Sequence, residues 1–291
     1  VRVLVLGATG MIGHKLMQVL SKLHEVTGTV RGNSSIYADH PVLGSMPLLS
    51  DVQAENFDSI VEAVAQFRPE VIINCIGIIK QLPSAKDPMR TIAVNAIFPH
   101  RLARLCQASD IRMIHISTDC VFSGRKGNYL EEDLPDPEDL YGRTKLLGEV
   151  ALKGCLTIRT SMIGRELRGK IELIEWFLSQ KNRNVPGFSR AIYTGLTTQV
   201  LSETICDIIE NYPELAGLWH VSSDPISKYD LLQIANREFD LGIEIEKDGA
   251  FLCDRSLNST RFRDATGFEP PSWEEMVSQM ARDPTPYDSQ R

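Results

Sequence analysis

The stretch "VLVLGATGMIGHKL", residues 3–16, limits what this chain can fold into more than any other. An aliphatic run ends at Gly7, an amphipathic pattern begins at Met11, and Gly10 and Gly13 follow at three-residue steps. Residues without a Cβ at these points let the backbone turn sharply and approach a ligand closely. The helix that follows offers unpaired N–H groups and the positive end of its dipole to a phosphate. The plainer reading is a tight strand-to-helix junction that serves packing alone. Because the turn follows a clean strand, a dinucleotide site built from Gly7, Thr9, Gly10, Met11, Ile12 and Gly13 is expected.

The rest of the first half continues that rhythm. "EVTGTVR", "EVIINCIG" and "RMIHIST" read as strands, with "DSIVEAVAQF" and "RTIAVNAIFPHRLARLCQAS" as helices between them. Strands alternating with helices predict an α/β fold, a doubly wound parallel-sheet Rossmann domain over 1–160. Pro99 is expected to bend its helix or limit where it starts. Beyond 160 the spacing is irregular, which predicts a smaller α+β substrate domain over 161–291, with segments such as 195–222 as candidates for returning to the sheet. The polar, proline-containing end, 281–291, reads as a loose tail.

Composition excludes several partners. A formal net charge of -7 argues against nucleic acid. No apolar run is long enough for a bilayer span, and six cysteines without a C-x-x-C pair and six dispersed histidines offer no zinc spacing. With no leader before the first strand, a cytoplasmic protein with reduced thiols and no metal is expected.

The end of the second strand, "GTVRGNS", bears on the choice of dinucleotide. It lacks the carboxylate that an NAD site uses for the ribose 2′-hydroxyl and carries Arg31, whose guanidinium suits a 2′-phosphate, so NADP(H) is favoured over NAD(H). Asp51 and Val52 follow the third strand, where Asp51 would reach the adenine amino group or merely cap a turn.

In "DLYGRTKLLGEVAL", Tyr141 and Lys145 lie one helical turn apart and share a face. An ammonium beside a phenol favours the phenolate and would bring its pKa toward a useful range. The pattern alone is common on helix surfaces. What strengthens it is "IHISTDCVFSG", which ends a parallel strand with Ser117 and Thr118, where a doubly wound sheet holds its ligands. A local backbone role for those two hydroxyls is the plainer reading.

"GATGMIG", "STDCVFSG" and "YGRTKLLGE", in this order and spacing, resemble the extended short-chain dehydrogenase/reductases, and more narrowly the dTDP-4-dehydrorhamnose reductase-like branch. "YTGLTTQVLSETI" and "DRSLNSTRFRDATGFEPPSWEE" extend the resemblance over nearly the whole chain. It implies hydride transfer from a nicotinamide to the C4 ketone of a nucleotide sugar, for surface polysaccharide synthesis. It also implies Tyr141 as proton donor, Lys145 as its pKa modifier and cofactor anchor, and Thr118 as partner hydroxyl. Cys75, Ile76 and Gly77 would lie along the cofactor, Asn95 would order the proton relay, and a homodimer is usual.

Two places depart from that branch. Met162 in "IRTSM" stands where a tryptophan is expected beneath the sugar. Lys80 in "GIIKQLP" resembles the lysine of inverting UDP-N-acetylglucosamine dehydratases and leans the substrate toward a UDP-2-acetamido-4-keto sugar. Arg190, Arg255 and Arg261 are candidate diphosphate ligands, Arg255 foremost, with plain surface charge as the alternative for each. Two other functions stay open at this point: a non-catalytic regulatory subunit resembling the β subunit of methionine adenosyltransferase, and a nucleotide-sugar epimerase or dehydratase.

Overall fold

A computed structural model describes residues 1–169 and 171–287, the side chains of residues 83 and 84 excepted. Its centre is β1 (Arg2–Leu6), an aliphatic strand buried from Val3 onward because neighbours cover both faces. β2 (Glu25–Thr29) and β3 (Leu48–Leu49) extend the sheet on one side. On the other lie β4 (Val71–Asn74), β5 (Arg112–Ile116), β6 (Cys155–Arg159) and finally the strand Gly217–His220. All seven are parallel. The order reverses between β1 and β4, so a crevice opens at their carboxyl ends, the place where such sheets hold ligands.

Helix α1 (Met11–Leu20) covers one face together with the helix Thr198–Asn211, while α2 (Phe57–Phe67) packs on the other. The chain thus returns to the sheet layer after residue 197. The expected long helix around Pro99 is three pieces in series: α3 (Pro88–Ile92), a π-helical turn (Ala93–Ile97) and α4 (Phe98–Ala108). Pro99 sits in the first turn of α4, where its missing N–H costs little. The π turn displaces Asn95 toward α5 (Leu140–Leu147), the helix that carries Tyr141 and Lys145. Gly148 ends α5, and a Cβ there would fall 1.9 Å from the Asn95 carbonyl oxygen.

The second layer over the cleft is a three-stranded sheet in which Ala191–Tyr193 pairs antiparallel with Ile226–Ser227 and parallel with Cys253–Asp254. The expectation of a loose tail is corrected as far as Tyr287. Lys15 is buried on α1 and pairs with Asp283 at 2.6 Å, and the His14 ring meets the Tyr287 hydroxyl at 3.0 Å. A buried ammonium needs a partner, and the chain end supplies it. Residues 288–291 of that expected tail lie outside the described residues.

Two expectations follow. Gly148 has φ -90°, which any residue adopts, so Gly148→Ala tests steric contact alone. It should lower stability in urea unfolding by about 1–3 kcal/mol. Burial also lowers the pKa of both His14 and His220 to about 4. The unfolded chain then binds more protons than the folded one between pH 6.5 and 4, so stability is full above that window and falls through it. Each histidine should remove about 3 kcal/mol by pH 4 in urea unfolding at stepped pH.

Candidate active site

Two cavities meet at the carboxyl ends of β1, β4 and β5. The first, about 320 Å³, is walled by Gly10, Met11, Cys75, Gly77, Tyr141 and Lys145, with Thr9, Ile12 and Ile76 beside them. The second, about 450 Å³, runs toward the three-stranded sheet and includes Thr118, Lys80, Lys228 and Arg255. Ser117, Tyr141, Met162 and Glu172 belong to both walls.

The glycine turn fits a diphosphate for a specific reason. Gly7 adopts φ +88°, and its carbonyl accepts from Gly10 N–H at 3.1 Å. A Cβ on Gly13 would lie 2.1 Å from that same carbonyl oxygen. Only bare backbone closes this turn and leaves the first N–H groups of α1 open toward the cavity. Arg31 and Asp51 are exposed beyond the ends of β2 and β3, with Asp51 at φ +57° and its N–H bonded to the Gly32 carbonyl. Against the effect of burial, the Glu55 carboxyl is held below its usual range by its own backbone N–H, then by Arg90, and least by Arg31. Val52 is buried in the core and borders neither cavity.

Tyr141 and Lys145 leave α5 on one face, as their spacing requires. Lys145 is buried, its Nζ donates to the Ile116 carbonyl at 2.7 Å, and burial lowers its pKa to about 8. The expected acidified phenol is corrected. Enclosure in the cleft raises the Tyr141 pKa, with Cys120 adding to the rise, and the neighbouring Thr118 hydroxyl opposes it only in part. Lys145 is not among the main influences on that phenol, and its ammonium donates to the Ile116 carbonyl of β5. Tyr141 is therefore a protonated phenol near neutrality, which is the form a proton donor needs.

Thr118 stands beside the phenol at the end of β5, where its hydroxyl donates to Asp119 Oδ1 at 3.1 Å and accepts from Cys120 N–H at 3.1 Å. Ser117, expected to bind substrate, lies in the wall but donates its hydroxyl to Glu149 at 2.7 Å. Glu149 in turn takes two hydrogen bonds from buried Arg159, at 2.8 Å each. That carboxylate would otherwise be an unpaired buried charge, so the serine serves the strand ends. Asn95, expected to order the proton relay, borders neither cavity. It bonds both backbone groups of Ile78 (2.8 and 2.9 Å) and the Thr144 hydroxyl (3.3 Å), tying the loop after β4 to α5.

On the substrate side the structure brings together Lys80, Arg255 and a residue the sequence reading missed, Lys228. Arg255 is held by the Phe122 carbonyl at 2.9 Å. Arg190 is exposed away from the cavity, and Arg261 lies over the Trp219 ring at 3.8 Å, so neither faces the cleft. Lys228 is the first residue of a helix capped by Ser227, and burial and then Lys80 lower its pKa. A cation at the positive end of a helix is unfavourable by itself, and "SKYDLL" carried that signal. Three cations around one cavity suit a diphosphate.

The RmlD substrate binding domain model matches residues 1–285. A probable low-salt glycan biosynthesis reductase of Haloferax volcanii is 27% identical over 230 residues, 75% of this chain and 73% of that protein. The dTDP-4-dehydrorhamnose reductase of Mycolicibacterium smegmatis is 34% identical over 153 residues, 52% of this chain and 41% of its own length. The rat methionine adenosyltransferase 2 subunit beta is 29% identical over 180 residues, 60% of this chain and 49% of that protein. The chain thus spans less than half the length of the last two relatives. A dTDP-4-dehydrorhamnose reductase of Bacillus anthracis, solved in complex with NADP, superposes with a TM-score of 0.79 at 20% identity, covering 96% of this chain and 98% of that one. A match across nearly the whole length places this chain in the RmlD family of extended short-chain dehydrogenase/reductases.

Proposed function

We infer that the protein is an NADPH-dependent reductase of a nucleotide-linked 4-keto-6-deoxyhexose, acting in surface polysaccharide precursor synthesis. The observation that carries this is the position of Tyr141, a protonated phenol in the wall common to both cavities, beside the Thr118 hydroxyl. The nicotinamide, when bound, supplies the hydride. Tyr141 gives its proton to the carbonyl oxygen as that oxygen gains charge, and Thr118 orients the same oxygen by hydrogen bonding. Lys145 fixes α5 against β5 and offers its remaining N–H groups to the cofactor ribose.

Arg31 and the absence of a carboxylate at the end of β2 support NADPH over NADH. Lys80, Lys228 and Arg255 would hold the diphosphate, and Met162, between the two cavities, would lie under the sugar. The methionine adenosyltransferase relative supports a second reading as a regulatory subunit, but such a role leaves the continuous two-part cleft without a use.

Oxidation of NADPH in the presence of dTDP- and UDP-linked 4-keto-6-deoxyhexoses tests the reading, and its failure with every such sugar sinks it. In Tyr141→Phe, turnover should fall by about 10²–10⁴-fold, with NADPH affinity unchanged. Because the Lys145 pKa lies near 8, kcat/KM for NADPH should decline as pH rises through about 8. In Lys145→Arg that limb should move to higher pH. A flat profile to pH 9.5 in the parent would contradict the role given to the ammonium.

A further inference from the structure

The wall of the first cavity includes a segment that the mechanism leaves without a task. Glu166, Leu167 and Arg168, from the loop after the strand Met162–Ile163, border the same space as residues 9–12 of the glycine turn. Leu167 is buried and packs with Val30, Tyr37 and Val42, which follow β2. The loop is thereby anchored on the Rossmann half, although it belongs to the second half of the chain. It is also closed by its own bonds. The Glu166 carboxylate accepts from Glu172 N–H at 3.1 Å and from Ile171 N–H at 3.4 Å, and Gly169 makes the turn at φ +88°. Glu166 and Glu172 border the cavity too, and alone they would repel an anion there. Glu166 is engaged with its own backbone, and Glu172 takes the Gln81 amide at 3.3 Å.

Arg168 is the cation of this loop that lines the cavity. Its guanidinium carbon lies 4.8 Å from the centroid of the Tyr37 ring, and that ring is itself buried, so the flat cation rests on a fixed surface. No carboxylate or carbonyl among the described residues accepts a hydrogen bond from Arg168, and its side chain is exposed. A guanidinium stacked by its face keeps its in-plane N–H donors available, and their fork suits two oxygens of one phosphate group. The first turn of α1 carries no acidic residue, so its open N–H groups and Arg168 favour a negative group in the same 320 Å³. Arg31, the residue that suits a 2′-phosphate, is not in this wall, so the two arginines serve different phosphates. We propose that Arg168, seated on Tyr37, is a cofactor-binding residue whose guanidinium donates to the diphosphate received by the glycine turn. Dinucleotide binding then uses the second half of the chain as well as the Rossmann turn.

The proposal rests on the dinucleotide part of the reductase reading, and titration calorimetry separates the two. Arg168→Ala should weaken binding of NADPH, NADH and ADP-ribose by a common factor of about ten, the loss expected for hydrogen bonds to a charged group at an exposed site. These three ligands share the diphosphate. Affinity for adenosine 2′-monophosphate, which lacks it, should match the parent and so show the adenosine side intact. Arg168→Lys, with the charge kept and the planar fork lost, should regain only part of the affinity. Unchanged NADPH affinity, a loss confined to NADPH and adenosine 2′-monophosphate, an equal loss for all four ligands, or full recovery in the lysine variant would each overturn the role of Arg168 while leaving the reductase intact. If the parent protein binds neither NADPH nor NADH, both readings fall together.

Discussion

The seating of α5 against β5 and the π turn is the constraint on which the rest of the site depends. Three contacts set it: the Lys145 ammonium on the Ile116 carbonyl, Asn95 between Ile78 and Thr144, and the bare backbone of Gly148 beneath the Asn95 carbonyl. A buried ammonium that bonds a neutral carbonyl is poorly compensated, which is why its pKa falls to about 8. The helix accepts that cost because the same contact aims the phenol one turn away. Catalytic geometry here comes from backbone fit, and the electrostatic pairing expected between the two side chains is secondary.

Buried charge is used elsewhere to hold strand ends and chain ends in place. Glu149, Arg159 and Ser117 form one closed set beneath the cleft, with Arg159 also facing the Phe122 ring. Removing either Glu149 or Arg159 would leave the other's charge unpaired in a low-dielectric interior, a far larger penalty than the net worth of the intact pair. Lys15 and Asp283 repeat the device at the back of the sheet and bring the chain end up to Tyr287 onto α1. Neither set touches the reacting atoms. Both restrict how far the cleft walls can drift.

The cleft carries charges of both signs close together: Lys80 and Lys228 act on Glu172, and Lys228 and Arg255 feel Asp119, all five around the same cavity. In a chain of net charge -7, such a local excess of cations would draw an anionic substrate to the cavity.

By itself the sequence determined whatever depends on short spacing. Glycines at positions 7, 10 and 13 specify a tight strand-to-helix turn because backbone sterics act over a few residues, and Tyr141 and Lys145 share a face because a helix repeats every 3.6 residues. The parallel sheet was legible for the same reason, from strands alternating with helices. Only the tertiary structure decided which hydroxyls and cations face the cleft. Ser117 and Thr118 are adjacent in sequence, yet one serves a buried carboxylate and the other the phenol, since successive residues at a strand end point to opposite sides. Lys228 and Arg255 meet because three distant segments pair as strands, and strand pairing at long range leaves no periodic trace in any one of them.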